Sequence, residues 1–487
     1  MAHPHRRLGR LRSLAKAIHE RERGPQTRTP AWFFSLLPNR IGSGATISLT
    51  PIFLTEVLGG TVADVGIASA LTSAASVPSA TLWGWLSDRV GRRKHYLVLG
   101  FLGFGLPTLL MGLSTSIWQF FALSLLVGML SVAGTPVSST LIMDTTDKDE
   151  WETAFGRYNQ VSGWGMVAGR IVGLVCITYG IALIGNEAAQ RGLWLLGGGL
   201  SMLSVVWAWA AVPELGMPKP RPPRRHEPSL IRYTGYALVE RVRFLPMSLY
   251  HLPHWNPLRA LQQIYGSAHT GLERLPGQMR RGSRQGLAFV REPLIAFYLA
   301  SFFLFTMSTM AYTPFAVWQR QELDNSTAMV FLVGLVNSIA ATLSYRWIGK
   351  LAKSKGSLRV QIVTISLRIG VFGGFAVMTV LGWYGTWGLV LLLALQAISG
   401  ISWAGIAVAG NSTVAHLAPL SKEGAAMGVY TSFTSIGAII GAFISGYVVL
   451  TVGYAIVFAA GAAGVGLSVL ILWLLRRNAP PEALTHL

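Results

Sequence analysis

The stretch Gly84-Trp85-Leu86-Ser87-Asp88-Arg89-Val90-Gly91-Arg92-Arg93-Lys94 joins two long apolar runs, near 62–83 and 95–114. A helix needs about 20 mostly apolar residues to cross the hydrocarbon core of a bilayer. The basic segment is therefore expected to be a short loop at the membrane surface, on the side where Lys and Arg collect. A surface anchor needs only Arg and Lys. Gly84 and Gly91 add a tight turn and close approach of a neighbouring backbone. Asp88 adds an acceptor suited to the free amides at the N-terminus of a facing helix, where the dipole favours negative charge.

Working outward, further apolar runs fall near 31–57, 117–143, 157–183 and 193–212, completing a first set of six. A second set falls near 294–317, 327–348, 359–381, 386–413, 424–450 and 454–475. The fold class expected is all-α: a polytopic membrane protein of about twelve transmembrane helices in two pseudo-symmetric six-helix bundles. The domains are a basic N-terminal tail (1–30), a first bundle (31–212), a basic central stretch (213–293), a second bundle (294–475) and a C-terminal tail (476–487).

Charge sets the orientation. All but five of the 40 Lys and Arg lie in the tails, the central stretch and the even-to-odd loops; the exceptions are Arg191 and Arg320 on the opposite side and Arg40, Arg170 and Arg368 within spans. Positive-inside bias places both termini and the central stretch in the cytoplasm of a multi-pass cell-membrane protein. The formal charge of +20 is thus a topology signal, and no nucleic-acid partner is expected. Composition agrees: 52% of residues are hydrophobic and only 12% charged, where soluble domains carry about a quarter. Lipid is the natural solvent. Cys176 is the only cysteine, so no intramolecular disulfide forms and no cysteine-only metal cluster exists. The first thirty residues lack the apolar stretch of a cleavable signal, and the first span is expected to act as an uncleaved one. Helical spacing of Leu8, Leu11, Leu14 and Ile18 among basic residues, and the apolar–basic pattern of 230–291, suit segments lying on an anionic leaflet.

Two pairs of segments suggest duplicated halves. Gly84, Leu86, Asp88 and Gly91 match Gly349, Leu351, Lys353 and Gly356 in spacing; Gly156, Tyr158, Gly165 and Gly169 match Gly428, Tyr430, Gly437 and Gly441. Repeated halves that meet near the bilayer midplane suit alternating access.

The segment 84–94 closely resembles the signature loop of the major facilitator superfamily, Gly-x-Leu-x-Asp-Arg-x-Gly-Arg-Arg/Lys. The resemblance implies two six-helix bundles rocking about a central cavity. It further implies a gate in which Asp88 caps the eleventh helix, with Arg89 beside it, while Arg92 or Arg93 pairs with an acid at the end of the fourth helix, Asp144 or Asp147. Gly165, Gly169 and Gly173 in the fifth helix, with Gly437 and Gly441 in the eleventh, have the four-residue spacing that lets helices touch. They resemble the fifth-helix motif of the superfamily's antiporters, although Arg170 stands where that motif has proline.

A buried arginine costs roughly 2.5–3.5 kcal/mol on insertion scales, so it normally meets a partner or a wet cavity. Arg170 lies about ten residues, or about 15 Å, from the cytoplasmic end, close to the midplane. It is the prime candidate for an anionic group on a substrate. Arg40, Asn159, Gln160, Trp164, Gln396, Trp403 and Asn411 are the other cavity candidates; Arg368, on the usually peripheral ninth helix, reads as structural. Most of the 16 tryptophans suit interfacial belts, and Pro51, Pro78, Pro136 and Pro314 suit bends. No Asp or Glu lies deep in a span, which leaves a coupling proton or ion without a carrier that can be named.

No phosphate-binding Gly-x-x-x-x-Gly-Lys-Ser/Thr loop, His-Glu-x-x-His or Gly-x-Ser-x-Gly motif is present. No enzyme activity, cofactor or metal is expected. The function expected is secondary transport of a small organic solute by a monomer, as an exporter of drug-like or amphipathic compounds. Import of an organic anion and solute sensing without transport are the alternatives.

Overall fold

A computed structural model describes residues 31–90, 93–134, 137–138, 141–142, 151–212, 293–383, 385–417 and 423–478. Helix is the only regular structure among them, as the bilayer demands of chains that must satisfy their own backbone. The first span, α1, is a 3-10 turn Ala31–Leu36, α-helix Leu37–Ile47 and Leu49–Ile52, and a π turn Phe53–Val57 around Pro51. Then follow α2 (Val62–Val90), α3 (Arg93–Met111), α4 (Ile117–Ser131), α5 (Trp151–Ile184) and α6 (Asn186–Ala211). The second set is α7 (Pro293–Tyr312, continued beyond Pro314 as Phe315–Gln321), α8 (Thr327–Lys355), α9 (Ser357–Leu381) and α10 (Thr386–Leu417). The last helical stretch, Glu423–Asn478, breaks at Gly453, whose φ of 81° is left-handed, into α11 (423–452) and α12 (454–478). Its apolar part of 52 residues would be about 78 Å long if straight, more than twice the hydrocarbon thickness. The glycine therefore marks a reversal, where a side chain at that φ would be strained.

Eight helices among the described residues are long and apolar enough to cross a membrane. Their exposed surface is apolar, as in Leu183 (81%) and Val380 (73%), and the chain is a multi-pass membrane protein. Trp118 and Trp387 are exposed in the first turns of α4 and α10, where an aromatic belt would lie.

One expectation needs correction. The residues Gly84 to Val90, read as loop, continue α2 as helix. Their apolar side explains why: Trp83 and Leu86 pack on Tyr96 and Leu97, and the Trp83 indole donates to the Met129 carbonyl at 2.8 Å. The corresponding segment of α8 is also helical, to Lys355, and stops at Gly356 with φ 87°. Lysines in that last turn face the negative end of the helix dipole.

Packing falls into two groups. Helix α6 contacts α1, α3 and α5, and α1 contacts α3 and α5; α2 and α3 each contact α4; α7 packs on the α11–α12 stretch, and α8 and α9 on α10. Two seams join the groups: α2 with α11, and α5 with α8.

Candidate functional site

One end of both seams is tightly closed. A methyl group on Gly66 of α2 would strike the Ala442 carbonyl of α11, and one on Gly446 would strike Val62 and Ala63. At the same end, Glu56 of α1 accepts from Arg320 of α7 at 2.6 Å, with the two side chains 22% and 30% exposed. Asn186 and Gln190 of α6 donate to the other Glu56 oxygen at 3.2 and 3.3 Å, and Arg320 donates to the Asn325 carbonyl ahead of α8 at 2.7 Å. This network ties three helices and one connection together. Aromatic clusters brace both sides, Phe53–Phe120–Trp194 next to Glu56 and Trp318–Phe375–Phe458 next to Arg320. Toward the other end, a methyl added at Gly156, Gly349 or Gly428 would meet no atom within 4 Å, while Gly163 of α5 still packs on Thr342 of α8.

Between these ends lie the three arginines. Arg170 of α5 reaches across the seam to α8, where its guanidinium fills the space that a side chain at Gly334 would need; the Ser48 hydroxyl of α1 borders the same space. Arg40 of α1 rests its Cβ on Gly165 of α5. The Nε atoms of Arg40, Arg170 and Arg368 are all buried without a hydrogen-bond acceptor. Among the described residues none of the three forms an ion pair.

Arg368, expected to be structural, is deeply buried. It is 4% exposed and enters the interior between α7 and α10, its guanidinium carbon 5.5 Å from the Tyr312 ring centre and 5.7 Å from that of Trp403. Tyr312 and Ser399 share a short hydroxyl–hydroxyl hydrogen bond, and Phe305 meets Trp403 edge-on at 6.3 Å. A desolvated cation–π contact contributes about 2 kcal/mol. Burying an ion costs several kcal/mol. Two rings can offset much of that cost, but they leave the Nε hydrogen bond unmade.

A helical bundle with two inter-group seams and polar residues at mid-depth occurs in a known protein class. The family model described as Major Facilitator Superfamily matches residues 32–393 and 368–486. The chain belongs to the Major Facilitator Superfamily. It is similar to the tetracycline resistance protein, class E, of Escherichia coli, with 32% identity over 135 residues, 27% of this chain and 33% of that protein. Multidrug resistance protein MdtG of Escherichia coli strain K12 is 33% identical over 148 residues, 28% of this chain and 36% of MdtG. The chain thus spans about a third of the length of these curated relatives. Among solved structures, a mutant form of the nucleoside transporter NupG aligns with a TM-score of 0.63 at 15% identity, covering 91% of this chain and 98% of that one. A POT family transporter in complex with a thioalcohol-conjugated peptide gives 0.65 at 14%, covering 92% and 96%. These last two likenesses are of fold.

In this superfamily frame the sequence-derived candidates separate. Asn159 lies eleven residues, about three turns, before Arg170 and so shares its face, while Gln160 is turned a step of about 100° from it. Trp164 is 45% exposed on the side of α5 that carries Ile171, Val175 and Tyr179, turned away from Arg170. Gln396 is buried and bound by the Asn337 amide of α8, at 3.0 Å to its side chain and 3.2 Å to its carbonyl. Trp403 shares the Gln396 face of α10 and is 40% exposed; Asn411 is exposed near the helix end. Gly165 and Gly169 lie against α1, Gly173 against Ala45 and Phe331, and Gly437 and Gly441 against α7. Gly91, Arg92 and Asp144, and the side chains of Gly84, Asp88, Arg89 and Arg93, lie outside the described residues. Sequence reasoning missed Ser48, Tyr312, Gly334, Asn337, Tyr345 and the Glu56–Arg320 pair. A polar residue inside an apolar run was the available signal for most of these, but it gives no partner.

Proposed function

We propose that this protein is a secondary active transporter moving a small organic solute across the cell membrane by alternating access, as an exporter of drug-like or amphipathic compounds. The observation that carries this is a set of charged and aromatic groups in the interior of both helix groups (Arg40 and Arg170 in the first, Arg368, Tyr312 and Trp403 in the second), with buried arginine nitrogens left unbonded. Polar groups of this kind in a membrane interior belong to a pathway for solute. The names of the tetracycline and multidrug resistance relatives favour export.

Two pseudo-symmetric six-helix bundles, 31–212 and 294–475, rock about this site. Positive-inside charge puts both termini and the central stretch in the cytoplasm, so the Glu56–Arg320 end is external and the opposite end cytoplasmic. The Asp88 gate acts at the cytoplasmic end and re-forms when the protein faces outward. A second reading, import of an organic anion, is favoured by three arginines within spans that have no carboxylate partner among the described residues.

The test is flux of candidate solutes in proteoliposomes, with and without an imposed pH gradient. Export requires uptake into inside-out vesicles that Asp88→Asn lowers at least tenfold while leaving insertion intact. Vesicles that bind solute and never move it would indicate a sensor. Undiminished flux in Asp88→Asn would remove the gate.

A further inference from the structure

We propose that Arg368, Trp403 and Tyr312 form a subsite for a planar aromatic carboxylate within the second helix group, which names a substrate class for the transport function proposed above. The direction in which Trp403 faces is the first observation. On α10, Val390 and Ile398 are exposed and lie on one side, which faces lipid. Trp403 lies on the opposite side by helical geometry, between the direction of Ser399, which meets Tyr312 of α7, and that of Gln396, which meets Asn337 of α8. It meets Arg368 and Phe305, and 40% of its surface still remains open. That open surface faces the protein interior.

Arg368 is the second observation. Its side chain is 4% exposed, its Nε is buried without an acceptor, and among the described residues it makes neither a hydrogen bond nor an ion pair. The rings of Tyr312 and Trp403 flank the guanidinium but offer nothing to its N–H fork. A carboxylate fits that fork with two parallel hydrogen bonds, which a neutral amide cannot match. An aromatic ring attached to it would lie on Trp403. Both needs are met by one molecule, an aromatic acid.

Thermal unfolding of the full-length protein in detergent micelles tests this, with benzoate, cyclohexanecarboxylate and benzamide as probes. Benzoate should raise the melting temperature along a saturable curve, cyclohexanecarboxylate more weakly, and benzamide not at all. Arg368→Gln should weaken benzoate about tenfold or more, as loss of a charge-assisted pair does. Arg368→Lys should fall between, and Arg346→Gln, exposed near the end of α8, should match wild type. Equal shifts from benzoate and benzamide, or unchanged benzoate binding in Arg368→Gln, would overturn the proposal. If Arg368→Gln does not survive extraction, Trp403→Leu decides: benzoate must lose its advantage over cyclohexanecarboxylate, and a retained advantage refutes the subsite. Binding here is read without a gradient, so inert vesicles with intact benzoate binding would count against transport alone.

Discussion

Arg170 concentrates the residue-scale physics. A guanidinium at mid-bilayer costs roughly 2.5–3.5 kcal/mol to insert, and a buried donor without an acceptor costs about 1–3 kcal/mol more. The fold keeps it in place by leaving α8 bare at Gly334, where the guanidinium lies, with Ser48 alongside. Gly334→Ala would put a methyl group into that space and push the cation aside. Alanine is otherwise a better helix former than glycine by about 1 kcal/mol. Solute flux should therefore fall at least tenfold while the melting temperature stays level or rises. Wild-type flux in Gly334→Ala would show that the position of Arg170 does not matter.

At the scale of elements, glycine marks where helices touch backbone to backbone. Gly169 of α5 lies on the Ile41 carbonyl and Gly44 of α1, and Gly441 of α11 lies on the Thr306 carbonyl of α7. A methyl added to Gly428, near the start of α11, would meet nothing within 4 Å. Gly169→Val should destabilise by about 1–3 kcal/mol through overpacking, whereas Gly428→Ala should change stability by no more than about 1 kcal/mol, in the stabilising direction. Melting temperatures of the purified variants check the contrast, and equal loss in both would contradict it. The helices themselves were legible in the chain because hydrocarbon imposes length and polarity on every span, and Gly453 was legible as the gap between the last two runs. The helical continuation of α2 through Gly84 to Val90 was not, because charge and glycine suggest a loop while Trp83 and Leu86 supply the packing that keeps the turn wound. Arg170 stood out as a charge in an apolar run. Arg368 stood out equally, but its place between Tyr312 and Trp403 depends on how α7, α9 and α10 pack, which no local pattern encodes. Trp164 failed to join Arg170 for a related reason: depth along α5 can be counted, but which face meets α1 and α8 is set by glycine contacts.

Over the whole molecule, the two helix groups meet firmly at the Glu56–Arg320 end. The Glu56–Arg320 pair is partly exposed, and pairs of that kind contribute about 1 kcal/mol or less. Such a latch holds one state without trapping it, as a transport cycle requires; a bond of many kcal/mol would stop the cycle. Glu56→Gln should weaken the latch and shift the population toward the state open at that end. The most direct measurement uses paired spin labels in proteoliposomes, in a Cys176→Ser background that removes the only native cysteine. One pair, Thr61 and Asp324, spans the latched end; the other, Val90 and Thr431, spans the opposite end of α2 and α11. Distances from pulsed electron resonance should change in opposite senses, the first lengthening as the second shortens, with Glu56→Gln enriching the long-first, short-second population. Distances that stay fixed, or that lengthen together, would contradict alternating access in this protein.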